Sequence, residues 1–392
     1  MEWSTQKLGD FCEVIAGQSP EGKYYNDTGE GLPFYQGKKE FRETYIGPPQ
    51  KWTTKVTKEA NAGDILMSVR APVGPINFST QSICIGRGLA AIRPSKEIDK
   101  NFLFYYLMSK QDDIKGNEGA VFASINKSQI EKLQFPYIHL EEQKRIVAIL
   151  DQVFADIEKA RATAETNLKN ARELFDSYLQ QVFSQRGEGW VEKTLKEASL
   201  DFGRGKSKHR PRNDESLYGG KYPFIQTGDV RNCEHLLTTY SKTYNEKGLS
   251  QSKLWPKGTI CITIAANIAE TGILDFDACF PDSVIGVVVN PDIATIGFVE
   301  FLLQSFKAIL KAEGKGSAQD NINMGTFENL KFPFPPVNHQ IDIVETLNDF
   351  MMSIQELEKI YLKKTSSLEE LKKSILQKTF TGELTKSKGI AA

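Results

Sequence analysis

Histidine is scarce in this chain, and what there is does not cluster. The four histidines, His139, His209, His235 and His339, form no H-E-x-x-H pair, and no cysteine lies close enough to any of them to suggest a metal site. The five cysteines, Cys12, Cys84, Cys233, Cys261 and Cys279, are scattered, odd in number and never spaced C-x-x-C. That spacing argues against a zinc site or a disulfide framework and predicts reduced, mostly buried thiols. No stretch approaches the roughly 18 consecutive apolar residues of a membrane span, and the opening MEWSTQKLGD has neither the basic nor the apolar region of a secretory leader. A cytoplasmic chain without membrane contact is expected. Charge of one sign is also lacking, since 49 Lys and Arg face 50 Asp and Glu for a net charge of -1. Any nucleic-acid contact must therefore come from a local basic patch.

Glycine and proline are absent from residues 141–186 and again from 338–381, which predicts two long uninterrupted helices. What surrounds them is ample: 392 residues with 40% hydrophobic side chains can build two cores. The stretches SYLQQVF at 177–183 and SILQKTF at 374–380 share Ser, Leu, Gln and Phe in register. Followed backwards, residues 124–183 align without a gap with 321–380, pairing Ile125 with Ile322, Asn126 with Asn323, Leu133 with Leu330, Phe135 with Phe332, Pro136 with Pro333, Gln143 with Gln340 and Leu150 with Leu347. Shared Pro and Gln outside an apolar stripe do not arise from helical composition, so the chain is read as a duplication. Upstream landmarks persist as the offset drifts: Trp3 with Trp190, Leu8 with Leu195, GQS at 17–19 with GKS at 205–207, LPFYQ at 32–36 with YPFIQ at 222–226, and GDILMS at 63–68 with GTICIT at 258–263.

Each copy has two parts. The first is turn-rich with short β-leaning runs such as DILMSV, ICIGRGLAAI, TICITIA and SVIGVVV, followed by a helical NFLFYYLMS or GFVEFLLQS. The second is a heptad helix. Its expected seam is Leu150, Phe154, Ile157, Arg161, Ala164, Leu168, Ala171, Phe175, Tyr178 and Val182 in copy one. In copy two it is Leu347, Phe350, Ile354, Leu357, Tyr361, Lys364, Leu368, Leu371, Ile375 and Lys378. The fold class expected is α+β, with two tandem mixed α/β, mostly β, globules and two long helices forming an antiparallel coiled coil with pseudo-twofold symmetry. The divisions expected are 1–140 and 187–337 for the globules, 141–186 for the first helix, and 338–392 for the second with a C-terminal tail.

Chemistry is harder to find. LDFGRGKS at 200–207 ends like a phosphate-binding loop, but Leu200 stands where its first glycine is needed. Pro291 and Asp292 followed by Glu313 and Lys315 imitate the spaced acids and lysine of a PD-ExK nuclease, yet copy one has Pro94-Ser95 there and no matching acid and lysine. What remains is GRGKSKHRPRN at 203–213, a basic run that cannot form a core strand and can follow a phosphate surface. Its counterpart in copy one, GQSPEGKYY at 17–25, is less basic but is followed by Lys38, Lys39 and Arg42.

Two globules that each open near a tryptophan and end in an FP segment before a Gln-bearing heptad helix resemble the specificity subunit of a type I restriction-modification enzyme. The residues that carry the resemblance are SINKSQIEKLQFPYIHLEEQKRIVAIL at 124–150 and NINMGTFENLKFPFPPVNHQIDIVETL at 321–347, and it extends over essentially the whole chain. Copy one departs at Tyr137, Ile138 and His139, where copy two has Phe334, Pro335 and Pro336. The resemblance implies target recognition domains that each read one half of a bipartite double-stranded DNA site, without catalysis by this chain. It implies helices that set the spacer and dock two methyltransferase subunits, and a restriction and translocase subunit that completes the complex. No cofactor is expected in this chain; S-adenosylmethionine, ATP and Mg²⁺ belong to the partners. On that reading the DNA contacts expected are Arg204, Lys206, Lys208, Arg210, Arg212, Gln226, Thr227 and Asp229 in the second globule. In the first they are Gln36, Lys38, Lys39, Arg42, Arg70 and Arg87. The alternatives are a coiled-coil adaptor whose globules bind proteins, which salt dependence would distinguish, and a standalone nuclease built on Asp292 and Glu313.

Overall fold

The stretches free of glycine and proline become two helices, Leu140–Ser184 and Val337–Phe380, in the computed structural model of the chain. The structure describes residues 3–111, 113–114, 124–209, 211, 214–265, 268–310 and 324–383. Two compact units result, and each takes part of both helices: Met1–Glu165 with Leu362–Ala392, and Thr166–Tyr361.

In the first unit a four-stranded sheet has the order Cys12–Ala16, Leu89–Pro94, Ile65–Ser68, Ile76–Phe78, all neighbours antiparallel. The run ICIGRGLAAI is two strands, Ile83–Ile85 and Leu89–Pro94, divided at its GRG. Ile83–Ile85 belongs to a second sheet, where it lies parallel to Leu32–Tyr35. The second unit repeats the first sheet as Ser199–Arg204, Val284–Val289, Ile260–Thr263 and Thr271–Leu274, with Leu236–Leu237 added at the edge. The helices Lys100–Ser109 and Ile296–Ser305 bury Phe102, Leu103 and Leu107, and Phe298, Leu302 and Leu303, in the two cores.

The structure explains the non-periodic identities. Phe135 and Phe332 are fully buried on short strands, Gln134–Tyr137 and Phe332–Phe334, that pair with the first strand of their own unit, Ser4–Lys7 and Val191–Lys193. Asn126 and Gln129 exchange side-chain to backbone bonds of 2.9 and 3.0 Å at the start of helix Lys127–Glu131, satisfying donors that the helix cannot. Its partner Asn323 lies outside the described residues. Gln143 and Gln340 are fully buried near the starts of the long helices. Gln143 accepts from the Asp99 N–H at 2.8 Å and donates to the carbonyls of Glu97 and Ile138. Gln340 does the same with Thr295, Ile293 and Pro335. Each clamps the start of its long helix to the start of a core helix, Lys100–Ser109 or Ile296–Ser305. Gln143→Leu strands a buried N–H and two carbonyls, so the chain is expected to lose about 2–4 kcal/mol of stability, measured by chemical denaturation. The exposed control Gln152→Leu is expected to stay within about 0.5 kcal/mol of the parent.

Within each unit the helical stretches run antiparallel. In the first, Lys372 bonds Glu158 at 3.1 Å and lies over the Phe154 ring. In the second, Arg172 bonds Glu358 at 3.0 Å while Phe175 and Tyr178 pack on Phe350. The seam expected for the first helix is the one observed, with every member buried or half-buried. The second helix requires a correction: Leu347, Ile354, Tyr361, Leu368 and Ile375 face inward, but Leu357, Lys364, Leu371 and Lys378 point to solvent, and Glu358, Thr365, Lys372 and Thr379 replace them. A heptad stripe leaves its alternate members ambiguous by one position. Here Arg172 and Glu158 of the facing helix select the charged residues Glu358 and Lys372.

Candidate nucleic-acid interface

Three connections meet at one end of the first unit: the loop after Cys12–Ala16, the loop after Leu32–Tyr35, and the turn Gly86–Gly88. Backbone bonds tie them together. Gly17 N–H donates to Leu89 O and Gln18 N–H to Ile85 O, both at 2.9 Å. Gly86 N–H donates to Tyr35 O at 2.8 Å and Gly88 N–H to Gln36 O at 3.0 Å. A β-carbon on Gly17 would lie 2.2 Å from Gly86 O, and one on Gly205 would lie 2.2 Å from Phe280 O. This close approach is why GQS and GKS persist as landmarks in both copies.

Of the expected contacts, Gln36, Lys38, Lys39 and Arg87 come together here, all exposed. Gln36, Lys38 and Lys39 line a cleft of about 470 Å³ floored by Tyr25 and Phe34, whose rings stack at 4.8 Å. Burial and the nearby Cys84 raise the Tyr25 hydroxyl pKa, and Arg87 opposes them. Arg70 follows Val69, whose N–H donates to Gly88 O at 3.0 Å, so its backbone adjoins the same turn. Arg42 stands apart from that cleft, with its backbone N–H and carbonyl both bonded by the buried Asn77 side chain at 2.8 Å. Ser19, Gln50 and Lys51 were not among the expected contacts. Lys51 and Gln50 line the cleft, where Gln50 accepts from Lys39 Nζ at 3.0 Å, and Ser19 bonds Gln36. Their residue types are ordinary, and only the shared GQS marked Ser19.

The second unit builds a similar end. Gly205 N–H donates to Val284 O at 2.9 Å, as Gly17 does to Leu89. Arg204, Lys206 and Lys208 are exposed on alternate positions, with Gly205 and Ser207 buried between them. The loop is anchored where Lys206 O accepts from Ser252 Oγ at 2.7 Å and His209 N–H donates to Gln251 Oε1 at 3.0 Å. The basic run is followed by an acid that engages it: His209 Nε2 meets Asp214 Oδ2 at 2.6 Å. Hydrogen bonds from Ser216 and His209 hold the Asp214 carboxyl down to about 2. Arg210 and Arg212 lie outside the described residues. Gln226 precedes the short helix Thr227–Asn232, and Thr227 is half-buried at its start. Asp229 has a local task, since its carboxylate accepts from Gln226 N–H at 2.7 Å and from Ser241 Oγ at 3.2 Å.

Elsewhere, Asp292 sits in a turn with its N–H donated to Asn290 Oδ1 at 3.1 Å, and Glu313 and Lys315 lie outside the described residues. Among the described residues no three His, Cys, Asp or Glu side chains are grouped to hold a metal ion. The closest approach to a polar constellation is the fully buried Glu300, which bonds His235 Nδ1 at 2.8 Å and Thr271 Oγ1 at 2.9 Å. Burial works against a charged His235, but the hydrogen bond and charge of Glu300 outweigh it and raise the imidazole pKa. The five cysteines are free, four buried and Cys233 half-buried; burial pushes the Cys12 thiol up to about 12 and Cys233 to about 11. Among the described residues no helix is long and apolar enough to cross a membrane.

The duplication is matched by the comparisons. The family model of the type I restriction modification DNA specificity domain matches residues 1–166 and again 187–365. The chain belongs to that family. It is 41% identical over 182 residues to the putative type I restriction enzyme MjaX specificity subunit of Methanocaldococcus jannaschii, a match covering 45% of this chain and 43% of that relative. It is 25% identical to the type I restriction enzyme MjaVIII specificity subunit of the same organism over 98% of this chain and 93% of that relative. In fold it is similar to a chain solved in work on complex assembly and conformational transition of the type I R-M system, with a TM-score of 0.73, 18% identity, and coverage of 96% of this chain and 97% of that chain. The HsdS subunit from Thermoanaerobacter tengcongensis gives a TM-score of 0.60 at 17% identity, covering 97% of both chains.

Proposed function

We propose that this chain is the DNA-reading subunit of a cytoplasmic type I restriction-modification complex, in which each unit reads one half of a bipartite duplex site. The observation that carries the reading is the recurrence, in both units, of exposed cationic side chains on loops tied down by backbone bonds at the same end of equivalent sheets. Tied backbone suits base reading, while the surrounding lysines and arginines suit phosphates. Two methyltransferase subunits carrying S-adenosylmethionine dock on the helices. A translocase and nuclease subunit using ATP and Mg²⁺ joins them, and helix length sets the unread gap between half-sites. In this reading the chain contributes recognition and its partners contribute chemistry.

Modularity tests it. Replacing residues 187–320 with the equivalent segment of a relative, in cells that supply the methyltransferase subunits, is expected to change one half of the methylated sequence and leave the other intact. Adenine methylation mapped with and without the exchanged chain reads the outcome. A change in both halves, or no methylation that depends on this chain, would falsify the proposal.

A further inference from the structure

We propose that Arg87 reads a guanine in the half-site of the first unit, beside a Gln36 amide whose orientation is already set. This rests on the DNA-reading function above and assigns one base contact within it. Arg87 is exposed at the apex of the turn Gly86-Arg87-Gly88, and among the described residues no carboxylate pairs with it. Its backbone is held at three successive N–H groups: Gly86 to Tyr35 O at 2.8 Å, Arg87 to Ser19 Oγ at 3.3 Å, and Gly88 to Gln36 O at 3.0 Å. A β-carbon on Gly88 would stand 2.5 Å from Gln36 O, so glycine there is what lets the turn close on Gln36.

The Ser19 hydroxyl accepts from Arg87 N–H and so turns its own proton to Gln36 Oε1, at 2.9 Å. That relay leaves the Gln36 amide N–H groups facing away from Ser19. The result is an arginine and a glutamine carried by adjoining segments whose backbone is held by these bonds. A phosphate contact needs only charge on a flexible stem, whereas the guanine edge, with O6 and N7 as paired acceptors, needs a forked donor at a set position.

The second unit argues that folding does not demand arginine at this apex. There Val284 N–H closes on Pro281 O at 3.0 Å, as Leu89 N–H closes on Gly86 O at 3.0 Å. Asp282 then occupies the place of Arg87. Turns that share this closing bond but carry opposite charges in the two units suit independent half-sites.

The test is selection of duplexes from a randomised pool by the full chain, by Arg87→Ala and by Arg87→Gln. The parent is expected to demand guanine at one position of one half-site. Arg87→Ala should lose roughly 5- to 150-fold of that preference, with every other position and the salt slope unchanged. Arg87→Gln should move the preference toward adenine. A uniform loss of affinity with the log-log salt slope reduced by about 1 would make Arg87 a phosphate contact and overturn the assignment while leaving DNA reading intact. Variants that select the parent's sequence also overturn it. A parent chain that selects no sequence overturns the function itself.

Discussion

Alanine at Arg204, Lys206 and Lys208 together is expected to weaken duplex binding by the full chain on the order of a hundredfold at about 0.15 M salt, and to lower the log-log salt slope by about 3. Each of the three is exposed and none has an ion-pair partner among the described residues. Their loop is held by bonds that the substitutions do not touch, from Ser252 to the Lys206 carbonyl and from His209 N–H to Gln251. The fold should survive while the counterions released on binding fall by nearly one per cation removed. Discrimination among sequences should change little, because phosphates carry no sequence information. A slope that does not move would take this loop off the path of the DNA. The same titration separates DNA reading from a protein-binding adaptor, whose apolar interface releases no counterions.

Aspartate at Leu357 and Ile360 together is expected to abolish site methylation without altering DNA binding by the chain itself. Leu357 is 38% exposed and Ile360 52%, three residues apart on a helix that presents mostly polar and charged side chains to solvent. Both lie outside the seam, where Glu358 meets Arg172 instead, so thermal stability should hold. An aliphatic side chain buried at an interface contributes about 1.5–3 kcal/mol, and the introduced carboxylates would have to be desolvated as well. Association with the methyltransferase subunits should therefore weaken by roughly a hundredfold or more, read by sedimentation or pull-down with the purified partner. Intact assembly and methylation in the double variant would place the docking surface elsewhere on the chain.

The seam of the second helix shows where reading the sequence stopped. Leu357 and Leu371 fit the apolar heptad better than Glu358 and Lys372, yet the structure buries the charged pair more deeply. The choice depends on Arg172 and Glu158 of the facing helix, which sequence periodicity does not contain. The loops were legible only as basic composition. Arg87 is distant in the chain from Gln36, Lys38 and Lys39, and bonds such as Gly88 to Gln36 bring them to one end. Ser19, which orients the Gln36 amide, was visible only as a member of a shared tripeptide. Asp229 was expected only as one of the DNA contacts, and the bond of its carboxylate to Gln226 N–H beside a helix start had no mark in the sequence.

By itself the sequence determined the duplication, the extent of both long helices, the strand-rich globules and the family, because each rests on local pattern: periodicity, missing helix breakers, and identities such as Gln143 with Gln340 that survive in register. Tertiary structure alone decided why those glutamines recur, which face of the second helix turns inward, and which exposed side chains share one end of a unit. These depend on partners far apart in the chain, and a hydrogen bond or ion pair between such residues leaves no trace in the spacing of either segment.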